Sequence, residues 1–365
     1  MKAKIINVGL SCCPTFVNFL IANYYKIKVG LDKEIWGGHS FKSEIQRNLQ
    51  LFLSPIEQRD SWLCHKLMND IIASYVIWGV TPNEYFTFNF RNRGKTERDT
   101  FASVKIKDQI LIKYYGSNWR NIFFELEDKW EFYKKYSYFF KREAMLLDSL
   151  HIEDGIRFLQ KHERCIAKPV LGQCGKGIHL INYSDFEDMQ KCKTFLQQYK
   201  ESYLLEELIE QDPFMARWNA SSVNTIRIAS INNNGTIKVL FAFLKTGRAG
   251  SCTDNGGSGG IIAVIDHTNG EVSSNGQDEF NNVYELHPDS MCEFEGIQIP
   301  RWRELLNEVV QVHSQLAHHR YIGFDYALSI DRGWVMVEAN WGAFQMYQSI
   351  LGVGMRSEFS SCFLN

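Results

Sequence analysis

The chain has 365 residues, enough for two or three domains of roughly 150 residues, and its 45% hydrophobic and 22% charged content excludes a disordered, collagen-like or coiled-coil protein. Lys and Arg number 40 against 42 Asp and Glu, a formal net charge of −2, so no overall field draws the chain to nucleic acid or to an anionic membrane. No run approaches the roughly 18 to 20 apolar residues of a membrane span, and nine cysteines without a C-x2-C pair read as free thiols of a reducing, cytoplasmic compartment.

The opening stretch "MKAKIINVGLSCCPTFVNFLIANYYK" is interrupted by Asn7, Ser11, Pro14 and Asn18, and reads as a buried strand and helix rather than a signal peptide. Up to about residue 150 the chain reads as helix-rich. "SWLCHKLMNDIIASYVIWGVTPNEYFTFNF" and "NIFFELEDKWEFYKKYSYFFKREAMLL" repeat large apolar residues every three or four positions, the spacing of amphipathic helices with a core-facing stripe. From about Cys165 the texture changes to short β-branched runs between glycines: "CIAKPV", "GIHLIN", "SYLLEELI", "VNTIRIAS", "TIKVLFAFLK", "GGIIAVID", "YIGFDYALSI" and "GWVMVEAN". Each predicts a strand. Two helices are predicted among them. The first, in "SDFEDMQKCKTFLQQYK", has Ser184 and Glu187 as a capping box. The second, in "PRWRELLNEVVQVHSQLAHHR", has Pro300 in its first turn and Trp302, Leu305, Leu306, Val309, Val310, Leu316 and Ala317 along one side. Strands and helices mixed without strict alternation give an α+β class.

Four stretches carry residues suited to chemistry. In "IAKPVLGQCGKGIHLI" a turn at Gly172, Gly175 and Gly177 lets backbone N–H groups approach a phosphate, with Lys168 and Lys176 adding charge; an ordinary glycine hairpin is the competing reading. It is no Walker A loop, because Gly177 rather than Ser or Thr follows Lys176, and its glycine order differs from the Rossmann fingerprint. "SYLLEELIEQD" ends a strand in Glu206, Glu207, Leu208 and Ile209, a backbone edge for a flat base, with Glu210 and Asp212 within reach of ribose hydroxyls, or is simply a strand entering a polar loop. "SSVNTIRIAS" places Arg227 in a strand. The segment "KTGRAGSCTDNGGSGG" holds six glycines between Gly247 and Gly260 and reads as a mobile substrate loop or a disordered surface loop. Within it Arg248, Asp254 and Asn255 are placed to hold substrate and a transferring phosphate.

The fourth stretch is the pair "GFDYALSI" and "GWVMVEAN". Glu338 and Asn340, two apart, project from one face of a strand. A hairpin with Asp331 and Arg332 as a two-residue turn sets Asp325 opposite Glu338, with Cβ atoms about 4.5 to 5.5 Å apart, where like charges destabilise unless a cation lies between them. Oxygen-only ligands suit Mg²⁺, with nucleotide phosphates completing its octahedron. A bulge at Gly333 would shift this register by one, and carboxylates exposed on an edge strand are the alternative. Cys174 has no visible base partner, and His313 reads as a satisfied core histidine. His267, His318 and His319 show no metal-ligand spacing, and no G-x-S-x-G motif occurs.

Taken in order, "LEDKWEF", "AKP" with "GQCGKG", "LLEELI", "NTIRI" and then Asp325, Glu338 and Asn340 resemble an ATP-grasp enzyme. "SVNTIRI", "TGRAGSCTDNGGSGGI" and "IGFDYALSIDRGWVMVEAN" are most similar to the sugar-transfer-associated ATP-grasp family, over about residues 125 to 350. Residues 1–124, which read as helix-rich, depart from the α/β domain that usually precedes the ATP-grasp fold; beyond them the resemblance implies an ATP-grasp N-terminal subdomain at 125–210 and a C-terminal subdomain with a Mg²⁺ site at 211–365, the two subdomains clasping ATP. It implies that Lys129 and Lys168 bind the ATP phosphates and that Gly172, Gln173, Gly175, Lys176 and Gly177 close over them. Glu206, Glu207, Leu208 and Ile209 become the adenine hinge, and Asp212, with Glu210 as competitor, the ribose ligand. Asp325, Glu338 and Asn340 become ligands of two Mg²⁺ ions, with Glu338 bridging, and Arg227, Arg248 and Asn255 face the γ-phosphate and substrate.

Many ATP-grasp ligases carry an arginine two residues before the first metal acid; here that position is Gly323, so the activating cation comes from elsewhere, Arg227 or Arg248. The implied activity is ligation of a carboxylate, small or linked to a cell-surface glycan precursor, to an amine through an acyl phosphate. A phosphotransferase on the same scaffold and a non-catalytic nucleotide-binding module are the alternatives.

Overall fold

A computed structural model describes residues 14–28, 30–31, 34–36, 39–172, 177–199, 201–342 and 344–363. The strand expected before Pro14 lies outside them. The chain forms two compact units, Met1–Tyr114 with Phe344–Asn365, and Tyr115–Ala343.

Among its described residues the first unit is helical, apart from a short antiparallel ladder of β1 (Glu34–Trp36) and β2 (His39–Ser40). Its central helix, Ser61–Trp78, starts where Asp60 accepts from the Leu63 N–H at 3.0 Å. It stops at Gly79, whose φ of 67° is the left-handed conformation that ends helices most cheaply when the residue is glycine. Phe41, Ile71, Ile72, Tyr85, Phe90 and Phe101 share its core. Buried Arg98 is held there by both oxygens of Asp70, at 2.8 and 2.7 Å, and by the Phe90 carbonyl at 2.5 Å. The helix Phe344–Leu351 closes this unit through Gln348, which bonds the Ala102 N–H at 2.9 Å and carbonyl at 2.8 Å.

The second unit holds two antiparallel sheets. The smaller contains β3 (Ala144–Leu147), β4 (Arg164–Pro169), β5 (His179–Asn182) and β6 (Tyr203–Glu207) in the order β3-β6-β4-β5. Sequence periodicity ran the helix Lys129–Phe140 on into "REAMLL"; instead the chain turns at Lys141, φ 50°, and Ala144–Leu147 pairs with the edge of β6. Backbone pairing overrides the local apolar spacing at this point. The helices Ile152–His162 and Met189–Leu196 bury Ile156, Leu159, Cys192 and Leu196 against this sheet. The second of these begins later than its motif suggested. Asp188 caps it, accepting from the Lys191 N–H at 2.8 Å, while Ser184 lies in a separate turn at Tyr183–Asp185.

The larger sheet contains β7 (Thr225–Asn233), β8 (Thr236–Thr246), β9 (Ile261–Ile265), β10 (Gly276–Gln277), β11 (Val283–Tyr284), β12 (Tyr321–Ser329) and β13 (Gly333–Asn340), in the order β11-β10-β9-β8-β7-β12-β13. All eight β-branched runs are strands. The helix Trp302–Gln315 packs on β7, β8, β12 and β13 through Trp302, Leu305, Val309, Val312 and His313. Pro300 precedes this helix instead of sitting in its first turn, Ala317 follows it, and Val310 faces solvent because the buried stripe runs on to Val312. No helix among the described residues is long and apolar enough to cross a membrane. Cys64, Cys165, Cys192, Cys252, Cys292 and Cys362 are free thiols.

His313 is fully buried and satisfied on both ring nitrogens, by Ser230 Oγ at 2.7 Å and the His319 carbonyl at 2.9 Å. Burial pushes both His313 and His319 down to about 4. Both imidazoles therefore fold neutral, while an unfolded histidine takes up its proton near pH 6.5. Their contribution is complete above pH 6.5 and is lost as pH falls from there to about 4, by about 3 kcal/mol for each imidazole. The urea midpoint is expected to drop between pH 7 and pH 4.5, and less steeply in His313→Gln. Parallel pH profiles for the two proteins would contradict this origin.

Candidate active site

The hairpin β12–β13 sets the site. Its turn is Ile330-Asp331-Arg332, three residues rather than the expected two, because Ser329 pairs with Gly333. Gly333 has φ 68°, and a Cβ there would meet the Arg301 guanidinium at 2.7 Å. That turn alone would move Asp325 one place off Glu338. A second irregularity restores the register: Tyr326 pairs with Met336 but Asp325 pairs with Glu338, leaving Val337 as the extra residue of a bulge. The two carboxylates face each other, as expected, through two compensating shifts.

Asn340 shares the face of Glu338, and Arg227 reaches the same face from β7, where it pairs with Asp325. Arg227 donates through Nε to Asp325 Oδ1, through Nη2 to Asp325 Oδ2 at 2.7 Å and Glu338 Oε1 at 3.3 Å, and through Nη1 to Asn340 Oδ1 at 2.8 Å. Lys245 of β8 donates to Asp325 Oδ2 at 3.1 Å and sits 3.3 Å from Asp254 Oδ1. Asn340 also donates to Glu338 Oε1 at 3.0 Å. Asp325, Arg227 and Lys245 are buried, whereas the Glu338 side chain is 38% exposed, so Glu338 is the carboxylate open to a ligand. Burial alone would raise the Asp325 carboxyl, but Arg227 and Lys245 hold it below the ordinary carboxylate range. Removal from water and the Asp325 charge push the Glu338 carboxyl up.

Gly323, two residues before Asp325, packs beside Arg227: a Cβ there would make ordinary contact, at 3.5 Å, with the Arg227 Cδ and with the Asn340 and Gly342 carbonyl oxygens. The basic side chain bonded to Asp325 at this point comes from β7.

On the smaller sheet, Lys168 of β4 lies 2.5 Å from Glu206 of β6. Arg142 donates to both oxygens of buried Glu206 at 3.1 Å. Burial would raise the Glu206 carboxyl, yet Arg142 and Lys168 bring it below its ordinary value. Lys129, the first residue of its helix, donates to the Gly172 carbonyl at 2.7 Å. Desolvation lowers its ammonium, with Glu338 opposing. Gly177 has φ 74°, and a Cβ there would meet Pro169 at 2.9 Å. Gln173, Cys174, Gly175 and Lys176 lie outside the described residues.

The chain leaves β6 at Glu207, which is bonded by Arg332 and by the Glu143 N–H at 3.1 Å. Leu208 and Ile209 follow, half-buried and outside the strand. The segment then runs onto the hairpin: Ile330 N–H donates to the Glu210 carbonyl at 3.0 Å and Asp212 N–H to the Leu328 carbonyl at 2.8 Å. The Asp212 carboxylate accepts from the Phe214 N–H at 2.8 Å, capping the short helix Pro213–Ala216.

The glycine-rich segment after β8 is pinned. Asp254 accepts from the Thr225 N–H at 3.1 Å, and Ser221 Oγ donates to the Ser251 carbonyl at 3.0 Å. Gly260 is needed where the chain doubles back, since a Cβ would strike the Asp254 carbonyl at 2.4 Å. Arg248 is engaged by Asp289 at 2.7 and 3.0 Å, apart from the Asp325 cluster. Asn255 follows Asp254, its carbonyl taking the Gly260 N–H at 3.1 Å.

The fold thus brings together Asp325, Glu338, Asn340 and Arg227, and separately Lys168 with Glu206, but holds Arg248 elsewhere. Two members escaped the sequence reading. Lys245 shares strand parity with Phe241 and Phe243, so a charge on an inward face was its available signal. Arg142 lies between elements, where no periodicity marks it. His318 and His319 meet Glu125 at 2.5 and 3.2 Å although their spacing suggests no site. Lys135 also pairs with Glu125 at 3.1 Å and the buried His319 Nδ1 has no partner, whereas metal-bound imidazoles donate their second N–H. This cluster is a hydrogen-bonded network around the Lys135–Glu125 ion pair.

No curated protein matches the chain. Solved structures similar to it include the ATP-grasp ligase PsnB with minimal precursor, Mg and ADP, at 15% identity and TM-score 0.36, covering 61% of this chain and 52% of that one. PsnB with a phosphomimetic variant of its minimal precursor, Mg and ADP aligns at 15% identity and TM-score 0.42, covering 80% and 72%. D-alanyl-alanine synthetase A from Vibrio cholerae aligns at 12% identity and TM-score 0.39, covering 66% and 64%. The chain spans about half the length of the first of these. The family described as sugar-transfer associated ATP-grasp matches residues 117–358, a span that takes in both sheets and the whole Asp325–Asn340 cluster. The chain belongs to the sugar-transfer associated ATP-grasp family.

Proposed function

We propose that the chain is an ATP-dependent carboxylate–amine ligase that works through an acyl phosphate, acting in the cytoplasm on a small carboxylate or a cell-surface glycan precursor. The observation that carries this reading is the opposition of Asp325 and Glu338, with Asn340 beside them, on a face already holding a cation. The donor set fits Mg²⁺, since all three offer oxygen and all three converge on the Arg227 guanidinium, a cation in the place where they meet. Asp325, Glu338 and Asn340 would hold Mg²⁺. Bound there, Mg²⁺ neutralises charge on the transferring phosphoryl group.

The protein's own groups do the rest. Lys129 and Lys168 bind phosphate oxygens, with Gly172, Gln173, Gly175, Lys176 and Gly177 covering them. Glu206, Glu207, Leu208 and Ile209 present the segment between the sheets to adenine. Asp212, its carboxylate already accepting from the Phe214 N–H, is the ribose ligand, with exposed Glu210 as its competitor. Arg227 serves as the activating cation near the γ-phosphate, because β12 carries glycine where a basic residue would otherwise stand. Asn255 faces the acceptor, and Arg248, bonded to Asp289, is left out of that role. A substrate carboxylate oxygen attacks the γ-phosphorus and the bond to ADP breaks, giving an acyl phosphate; an amine nitrogen then attacks the acyl carbon, loses a proton, and phosphate leaves.

The test is incubation with Mg-ATP, a panel of uronic and amino acids, and hydroxylamine, following ADP and hydroxamate together. Carboxylate-dependent ADP with hydroxamate is expected. A stable phosphorylated product without hydroxamate makes the protein a phosphotransferase, and ATP binding without turnover makes it a nucleotide-binding module. Glu338→Gln should lower turnover by roughly 10² to 10³, the scale of losing one major electrostatic stabiliser; unchanged turnover would overturn the site assignment. Lys245→Met removes the cation shared by buried Asp254 and Asp325 and should cost about 3 to 5 kcal/mol in chemical denaturation, part of it recovered in Lys245→Met/Asp254→Asn. Additive losses in the double variant would deny the pair.

A further inference from the structure

The bulge that aligns the two carboxylates has a support that none of the roles above requires. β13 is an edge strand of its sheet, so part of its backbone faces away from β12. At Met336, immediately before the extra residue Val337, the carbonyl accepts from Arg142 Nη1 at 2.6 Å. The other arm of the same guanidinium grips both oxygens of Glu206 at 3.1 Å, and Glu206 lies 2.5 Å from Lys168. The Arg142 side chain is 1% exposed, and its own carbonyl accepts from Tyr133 at 2.9 Å, fixing the chain where it leaves the helix Lys129–Phe140.

We propose that Arg142 is a positioning residue that ties the nucleotide-side pair Lys168–Glu206 to the bulge that places Glu338 opposite Asp325. This rests on the ATP- and Mg²⁺-dependent reading above. A planar guanidinium reaches both partners at fixed geometry, one through each terminal nitrogen. If a phosphate draws Lys168 from Glu206, Arg142 remains the counter-charge of a buried carboxylate and keeps the Met336 carbonyl in place. The strength of the cation site then follows occupancy of the nucleotide side. A lysine at this position keeps the charge toward Glu206 but, as a point donor on a flexible stem, cannot hold both partners in that geometry.

The experiment uses the full chain and two variants, Arg142→Lys and the charge-neutral Arg142→Met/Glu206→Gln, which avoids stranding a buried carboxylate. In Arg142→Lys, the Mg²⁺ concentration at half-maximal ATP-dependent turnover should rise at least tenfold, while the melting temperature stays near wild type and ATP affinity without Mg²⁺ changes less than about threefold. The double variant should show the same Mg²⁺ defect. A merely structural arginine would lower melting temperature and leave Mg²⁺ half-saturation unchanged, and that result would overturn the proposal.

Amide exchange of the ligand-free protein separates this inference from the function it rests on. Arg142→Lys should speed exchange at Glu338, Ala339 and Asn340 at least tenfold, and exchange equal to wild type would overturn the positioning role whatever the enzyme assay shows. Wild type lacking any Mg-ATP turnover would fail the proposed function while leaving the exchange result to decide on Arg142.

Discussion

Two carboxylates held across one rung of a hairpin repel, by about 3 kcal/mol at a separation near 5 Å and an effective dielectric of 20. The neighbouring strands of the seven-stranded sheet supply the counter-charge. A guanidinium enters from β7 to bond both acids and Asn340, and a lysine enters from β8 to bond Asp325 and Asp254. Such an arrangement is costly to keep if it serves stability alone, since buried ion pairs are often replaceable by apolar residues without loss. What it does is keep the side-chain oxygens of Asp325, Glu338 and Asn340 assembled at one end of the hairpin.

The two sheets are stitched together by charge at the point where the chain passes between them. Lys141 bonds Glu308 at 2.6 Å and the Trp334 carbonyl at 2.9 Å, Arg142 bonds Glu206 and Met336, and Arg332 bonds Glu207. The same stretch, Glu206 to Asp212, is the proposed seat of adenine and ribose. A nucleotide placed there would lie against the segment that fixes how the carboxylate hairpin meets the smaller sheet. Lys141, Arg142 and Arg332 therefore join the Glu206–Asp212 stretch and the end of the smaller sheet to the β12–β13 hairpin.

Much of this was legible in the residues, because sheet strands announce themselves by β-branched runs between glycines, and all eight such runs are strands. The opposition of Asp325 and Glu338 was legible too, although by a simpler turn than the real one. A three-residue turn and a bulge cancel, and cancellation of two shifts leaves no trace in period-two spacing. Ala144–Leu147 was hidden for another reason: its apolar spacing continues that of the preceding helix, and only the edge of β6, some 60 residues away in sequence, makes it a strand. Arg142 and Lys245 are single charged residues whose meaning depends wholly on partners brought from distant strands. Arg248 shows the reverse case, a residue in a suggestive loop whose nearest acid, Asp289, claims it.

The opposed carboxylates can be probed without knowing the substrate. Mn²⁺ binding, followed by the loss of the free-ion EPR signal with ADP present, should be at least tenfold weaker in Asp325→Asn than in wild type, with nucleotide affinity in the absence of metal little altered. Equal Mn²⁺ affinity in the two proteins would mean that Asp325 and Glu338 serve only to seat Arg227, and that the cation site lies elsewhere.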